Sequence, residues 1–529
     1  MRPFRFDLSS HFDSFRSLPP SRDLAVHRTA LLPLRLLAVV LVLVSAREAC
    51  TAERPPNIIH IVGDDIGWDD LSCFGAKDIK TPHLDRLAAS GRKFTSFYAP
   101  APYCTASRAA MMTGCYADRI GIPPVLFPYS KIGINASEVT IAELLKGRGY
   151  ATACVGKWHL GHQPEFLPVR HGFDRFLGIP YPNDHEPERF GWSKAGGREG
   201  WIAPPMPLFS NDTIIEEPAD LENLPTRFTQ ECVKFIRQHH DQPFFLHFSN
   251  IETHTPWFTP GRFVGTSQAG AYGDAVQCLD WSVGQIVATL IDLNLLDQTL
   301  VVFHADNGYL PPGSNNSDLP NVYGKYATVD ASRKHVLRGG KGTLFEGGPR
   351  VSCIAHWSGK VPAGTMCDEV TASFDLFTTF AKLAGADVPQ DRVIDGRDIA
   401  PLLFAHEGAK SPHEAFYYYH GGALGGVRVG PWKLMFPGVA RGATANANKN
   451  APQSPELYDL NSDRGETTDV AADHPDVVAE LKQLAEKARD DIGDTRLQRK
   501  GKNTRPVGQL TDTTPAKRAW SETRAPHNQ

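Results

Sequence analysis

The sequence predicts an α/β fold: a large, mostly parallel sheet sandwiched by helices, then a small C-terminal α+β unit of antiparallel strands and one helix. Three observations carry that expectation. Short β-rich apolar runs alternate with helical patterns over roughly 350 residues, as strand–helix–strand units do when helices cover a parallel sheet. Polar residues suited to chemistry fall where the apolar runs end, and open parallel sheets bind ligands at the carboxyl ends of their strands. After Pro401-Leu402-Leu403 the texture changes to closely spaced short strands.

Taken in order, Asn57-Ile58-Ile59-His60-Ile61-Val62 is the first strand, and Gly63-Asp64-Asp65 ends it. Thr81 caps a helix with Pro82 at its first position, Leu84, Leu87 and Ala88 supply the apolar spacing, and Gly91 stops it. Phe94 to Tyr98 is a strand leading to a helix that opens near Cys104, runs through Ala109, Ala110, Met111 and Met112, and stops at Gly114. Thr140-Ile141-Ala142-Glu143 is a capping box for a helix ending by Gly149. The strand Ala151 to Val155 follows and runs into Gly156-Lys157-Trp158-His159-Leu160-Gly161. A helix around Arg227 to His239 precedes the strand Phe244 to Phe248, and a longer one, Asp274 to Leu293, precedes Leu300 to His304. Val351 to Ala355 is another strand and Ser373 to Ala384 another helix. Ala415 to Tyr419, Gly426 to Val429, Trp432 to Phe436 and Glu456 to Leu460 form a meander, and Pro475 to Ile492 is its helix. Gly442 to Ser454 reads as a polar loop, and the chain from Arg496 onward as a poorly ordered polar tail.

The charged content of 22% and a net charge of −4 over 529 residues exclude a polyanion-binding class. The basic run Arg499-Lys500-Gly501-Lys502 with Arg505 reads as a solvated terminus. At the other end, basic residues from Arg28 to Arg35 precede an apolar stretch, Leu36 to Val44, too short to span a bilayer. Cys50-Thr51-Ala52 then offers a cleavage site before Glu53. That is a secretory signal peptide with a long leader, for which a start further downstream, near Val26, stays open. Lipidation at Cys50 is disfavoured by Arg47 and Glu48. The mature chain is expected to be exported: periplasmic, extracellular or lumenal. Setting aside Cys50 and Cys104, the seven remaining cysteines show no CxxC spacing, and their odd count leaves at least one free thiol.

The resulting division is a leader over 1–52, a main α/β domain over 55–410, a C-terminal α+β subdomain over 411–495 and a tail over 496–529.

The strand ends hold two sets of residues. Asp64, Asp65, Asp306 and Asn307 supply only oxygen donors, which suit a hard cation, Ca²⁺ or Mg²⁺, and not a thiolate- or imidazole-bound zinc. Gly63 is expected to let the two adjacent carboxylates turn to one ion. Arg108, Lys157, His159, His254 and Lys341 form a cationic set, Lys341 within the Gly-rich stretch Arg338 to Gly348. A metal beside fixed cations and a helix N-terminus is a site for a tetrahedral oxyanion, sulfate or phosphate.

The stretch Cys104-Thr105-Ala106-Ser107-Arg108 resembles the Cys-x-Pro/Ala-Ser-Arg signature of type I sulfatases, whose cysteine is oxidised after translation to formylglycine. The resemblance extends from Pro56 to about Asp494 and keeps motif order: Asp64-Asp65, the Cys104 run, Gly149 to Gly161, His254-Thr255-Pro256, Asp306-Asn307-Gly308 and Gly340-Lys341-Gly342-Thr343. It is similar to the sulfatase family of the alkaline-phosphatase-like superfamily. Gly172 to Tyr181 particularly resembles the arylsulfatase A and N-acetylgalactosamine-6-sulfatase branch. That branch carries a serine after the tyrosine; here Pro182 stands there, with Asn183 or Asp184 as substitutes for lining the pocket. Tyr309 to Lys334 reads as an inserted loop at its rim.

What the resemblance implies is a sulfuric ester hydrolase with one Ca²⁺ or Mg²⁺ per chain, Cys104 joining the metal ligands once converted. One hydroxyl of its hydrate would attack sulfur while Arg108, Lys157 and Lys341 hold the sulfate oxygens. His254, with Lys341, would protonate the leaving alcohol, and His159 would take the proton from the second hydroxyl. The implied partners are a sulfated small molecule or glycan and a formylglycine-generating maturase, with neither nucleic acid nor membrane insertion. The competing readings are a phosphate or phosphonate ester hydrolase of the same superfamily and a non-catalytic glycan-binding protein with Cys104 unconverted.

Overall fold

The structure, a computed structural model, describes residues 54–185, 205–311, 333–438 and 453–510. The expected leader and cleavage site lie outside the described residues, as do most of the expected rim loop, the polar loop at 442–452 and the tail beyond Leu510. Among the described residues, eleven strands form the main sheet, and no helix is long and apolar enough to cross a membrane.

Five strands form its parallel centre, in the order Thr299–Ala305, Asn57–Gly63, Phe244–Ser249, Ala151–Lys157 and Arg175–Ile179. Ile58, Ile59, Ile61 and Val62 are fully buried, because helices cover both faces and leave no polar side to alternate with. Burying each such side chain contributes roughly 1.5–3 kcal/mol. Beyond Thr299–Ala305, the strand Arg350–His356 runs antiparallel to both its neighbours, with Arg92–Tyr98 next. At the other edge Leu208–Ser210 and Thr213–Glu216 add an antiparallel hairpin. The sheet is thus mixed but mostly parallel.

Register decides where the chemistry collects. Val62 pairs with Ser249, Gly63 with Ala305 and Gly156 with Ser249, so Asp64, Asp306, Lys157 and Asn250 leave the sheet at one level. That alignment needs glycine at 156, whose φ is +106° and where a Cβ would lie 1.8 Å from the Ser249 carbonyl oxygen.

The helices begin where their caps predict. Thr140 closes a capping box with Glu143 at the start of Ile141–Lys146, and the helix Cys104–Thr113 ends at Gly114, whose φ is +71°. Pro82–Ala89 starts after Thr81 as expected, yet the Thr81 hydroxyl bonds Ser72 and Asp85 instead of capping it.

The C-terminal strands Phe416–His420, Ala423–Val429, Trp432–Met435 and Glu456–Asp459 form the expected antiparallel meander, and Pro475–Asp491 is the expected helix. The expectation of a loose tail from Arg496 fails over 496–510. Arg499–Lys500 pairs with Gly493–Asp494, and Gly508–Gln509 pairs with Ile132–Gly133. Composition alone reads as solvated, but Arg505 finds the buried Glu138 carboxylate at 2.7 Å and Arg499 bonds Glu486 and Asp490. All eight described cysteines are free thiols.

Candidate active site

Asp64 and Asp65 follow the strand Asn57–Gly63, and the turn is made by Asp65 itself, at φ 55°, not by Gly63. An aspartate tolerates the left-handed region because its short side chain can bond locally. Gly63 has a steric role instead: a Cβ there would meet Ile66 Cδ1 at 2.4 Å. His159 likewise sits at φ 61°, which re-aims its ring just past the strand ending at Lys157.

Cys104 opens its helix with its Sγ 3.8 Å from Asp64 Oδ1 and 3.9 Å from Asp65 Oδ1. Ligand-type atoms of Asp64, Asp65, Cys104 and His254 all lie within 4.8 Å of one another. Asp306 and Asn307 join this group through Asp65: Asp306 Oδ1 accepts its backbone N–H at 3.2 Å, and Asn307 Nδ2 donates to its Oδ1 at 2.7 Å. Lys157 donates to Asp64 Oδ2 and Lys341 to Asp65 Oδ2, each at 2.7 Å.

The imidazole in the group was not among the expected oxygen donors. Its Nδ1 donates to the Thr255 carbonyl at 2.6 Å, which leaves Nε2 as the acceptor of the Lys341 ammonium at 3.2 Å. Burial, then Lys341, pushes His254 below the ordinary histidine range, so the resting ring is neutral. For Lys341, burial works against the charge, but the Asp65 carboxylate overcomes it and holds the ammonium well above its usual value. His159 Nε2 donates to the Leu126 carbonyl at 2.9 Å, which makes Nδ1 its basic nitrogen.

Three carboxylates, Asp64, Asp65 and Asp306, thus face three cations, Arg108, Lys157 and Lys341. Burial and the neighbouring Asp64 push Asp306 up to about 7, whereas Lys157 and Arg108 override burial and hold Asp64 far below its usual range. Asn307 Oδ1 is buried without a hydrogen-bond partner. A crowded carboxylate and an orphaned amide oxygen at the same strand ends fit a hard divalent cation. With all three carboxylates ionised they balance the three cations, and a divalent cation would leave the cluster net positive by two charges, which suits an anionic ester.

Burial pushes the Cys104 thiol up to about 12. An unmodified Cys104 is therefore a protonated thiol at neutral pH and a weak nucleophile.

Arg108 is engaged by the protein's own carboxylates. Its Nε and Nη2 donate to Asp306 Oδ2 at 3.0 and 2.8 Å, and its Nη1 bonds the Lys157 carbonyl and Ser249 Oγ. Asn183, offered as a pocket residue, uses its amide N–H groups on the Pro256 and His254 carbonyls at 2.8 and 3.4 Å, behind the His254 turn. Asp184 is buried nearby, and its charge partly offsets the depression of His254.

Sequence reasoning missed three contributors. Ser249 anchors Arg108, Thr253 Oγ bonds both the backbone N–H and carbonyl of Asp64, and His420 Nε2 hydrogen-bonds with the Tyr103 hydroxyl at 2.9 Å. Ser249 and Thr253 stood in view, as hydroxyls at a strand end beside His254. His420 had no such signal, because it arrives from the C-terminal meander 317 residues beyond Tyr103.

Residues 56–386 match the sulfatase family, and 411–515 match the C-terminal region of aryl-sulfatase. The chain is 39% identical to human (Homo sapiens) arylsulfatase A over 460 residues, covering 82% of this chain and 87% of the relative. It is 36% identical to N-acetylgalactosamine-6-sulfatase of Sus scrofa, covering 81% and 84%. Among solved structures, Ps i-CgsB in complex with k-i-k-neocarrahexaose superposes with a TM-score of 0.67 at 30% identity, covering 82% of this chain and 92% of that one. The chain belongs to the sulfatase family of sulfuric ester hydrolases.

Proposed function

We propose that the protein hydrolyses sulfate esters of sugar hydroxyls through a formylglycine at position 104 and one bound Ca²⁺ or Mg²⁺. The observation that carries this reading is the convergence of three carboxylates and three cations on a buried Cys104 that is too weak an acid to react as a thiolate. The neocarrahexaose bound to Ps i-CgsB supports a sugar substrate. Asp64, Asp65, Asp306 and Asn307, with the converted side chain at 104, would hold the cation, which supplies charge stabilisation at the sulfate oxygens. Formylglycine supplies, in its hydrated form, a hydroxyl pair that an unmodified cysteine lacks. Conversion requires a maturing enzyme, and the leader over 1–52 is read as the export signal. We assign catalysis to 55–410, with the meander and the chain to Leu510 as its C-terminal subdomain.

In this reading Lys157 and Lys341 orient the sulfate, and Arg108 fixes the Asp306 and Asp64 carboxylates. Asn183 braces the turn that carries His254, and Asp184 tunes its charge. His159, basic at Nδ1, takes a proton from the side chain at 104. The leaving oxygen takes its proton from the Lys341–His254 pair. Initial rates on sulfated monosaccharides, nitrophenyl sulfate and the matching phosphate esters test the assignment. Sulfate esters should be preferred; a preference for the phosphate esters would overturn it.

His254→Ala should discriminate between leaving groups. A sugar hydroxyl needs a proton to depart, whereas nitrophenolate leaves as a stable anion. General acid catalysis is worth about 10²–10⁴-fold, so the loss on sugar sulfates should exceed that on nitrophenyl sulfate by a plainly measurable factor. Equal losses on both would reduce His254 to a residue that only positions sulfate.

A further inference from the structure

We infer that Lys433, on the C-terminal meander, is a positioning residue for Lys341: it clamps the Gly-rich loop that presents Lys341 to the Cys104 site. This rests on the sulfate-ester reading for what Lys341 does once it is in place. Lys433 is fully buried, and its ammonium donates to the Leu344 carbonyl at 2.8 Å and Glu346 Oε1 at 3.0 Å and forms an ion pair with Glu466 Oε1 at 2.7 Å. Leu344 and Glu346 follow Lys341 by three and five residues in the same loop.

Glu466 closes the clamp from the other side. Its Oε2 accepts the Glu346 backbone N–H at 2.6 Å, and its carbonyl accepts Arg338 Nη1 at 2.6 Å. The Tyr98 and Tyr418 hydroxyls donate to Glu346 at 2.5 and 2.8 Å. Tyr98 ends the strand before the Cys104 helix, so the cluster ties three parts of the chain together: the meander, the loop and the approach to residue 104. At its far end the same loop meets the site. The Lys341 N–H donates to the Tyr309 carbonyl, the Gly342 N–H to the Pro102 carbonyl, and the Gly308 N–H, next to Asn307, to the Gly348 carbonyl.

A loop of this composition has little rigidity of its own, since Gly339 and Gly342 sit at φ 74° and 81° and Gly340, Gly347 and Gly348 carry no side chain to pack. Buried ion clusters are seldom retained for stability alone, and apolar residues of similar shape often do as well. A cluster that holds one such loop from both sides, Lys433 and two tyrosines donating to it and Glu466 accepting from it, is suited to fixing geometry. None of its members touches the reacting atoms.

Two measurements on Lys433→Met test this. Hydrogen exchange is read at the amides of 338–348 and, as a reference, at Asn57–Gly63; protection should fall in the loop and hold in the strand. The second is a double-mutant cycle with Lys341→Ala, followed on a sugar sulfate. Lys433→Met alone should lower kcat by about 10- to 100-fold with little change in KM, the scale expected of a displaced group. In the Lys341→Ala background it should add less than about twofold, because the group it positions is gone. Losses that multiply in full, or loop protection equal to wild type, would overturn the assignment. Should Lys433→Met fail to fold, Glu466→Gln, which keeps shape and drops one charge, is carried through the same cycle with the same signs expected. Absent sulfate-ester turnover in the wild-type protein would defeat the functional reading, while the exchange experiment would still decide the clamp.

Discussion

Cys104→Ala is expected to abolish turnover in a protein that still folds, a loss on the order of 10⁶-fold, the scale reached when a covalent nucleophile is removed. The fold should tolerate the change. Cys104 is buried, but its Sγ meets the Asp64 and Asp65 carboxylates only at 3.8 and 3.9 Å, so alanine gives up about 1 kcal/mol of packing at most. The chemistry should not tolerate it. Burial holds the thiol near 12, so even an intact cysteine offers almost no thiolate at neutral pH. Protein made without a maturing enzyme should therefore be nearly as inactive as the alanine variant. Peptide mass spectrometry across preparations of graded conversion gives the comparison: activity should rise in proportion to the fraction carrying formylglycine. Full activity in protein whose residue 104 remains cysteine would falsify the proposal.

Much of this site was legible in the sequence because its residues immediately follow apolar strands. Asp64, Lys157 and Asp306 each stand one residue from, or at, the end of a buried run, and parallel register then brings them to one level. Periodicity cannot supply direction or partners. Arg350–His356 reads as a buried strand whichever way it runs, and only its neighbours make it antiparallel. The partners of Arg108 were hidden for a related reason. Residue type says that a guanidinium suits an anion, but the anions it finds are Asp306 and, at 3.5 Å, Asp64, already inside the protein. Lys433 carried no local signal at all; Trp432-Lys433-Leu434 is an ordinary strand until Glu346, 87 residues earlier, arrives beside it. The tail shows the same limit: Arg505 reads as solvated until Glu138, 367 residues earlier in the chain, pairs with it.

Asp306→Ala should lose bound cation and activity together, and Asn307→Ala should separate that loss from damage to the fold. Asp306 is fully buried and is the main partner of an equally buried Arg108. Truncating one member of such a pair leaves an uncompensated charge and costs roughly 3–5 kcal/mol, so a lower melting temperature is expected whether or not a metal is involved. Asn307 is neutral, and its Oδ1 bonds nothing in the protein. Its removal forfeits the Nδ2 bonds to Asp65 and the Gly308 carbonyl, at about 1 kcal/mol each, and strands no charge. If the oxygen set holds Ca²⁺ or Mg²⁺, Asn307→Ala should keep a near-native melting temperature once cation is in excess, while demanding more cation for half-maximal activity. Chelation of the wild-type protein should lower its melting temperature, since a ligand present at 100 times its Kd stabilises the folded state by about 2.7 kcal/mol. Re-addition of Ca²⁺ or Mg²⁺ should restore both stability and turnover. Two zinc ions per chain, with activity recovered by zinc alone, would contradict the site, because zinc favours the nitrogen and sulfur donors that this cluster supplies only through His254 and Cys104. The His254 Nε2 already accepts from Lys341, and the Cys104 thiol is held protonated; oxygen is what remains for the ion.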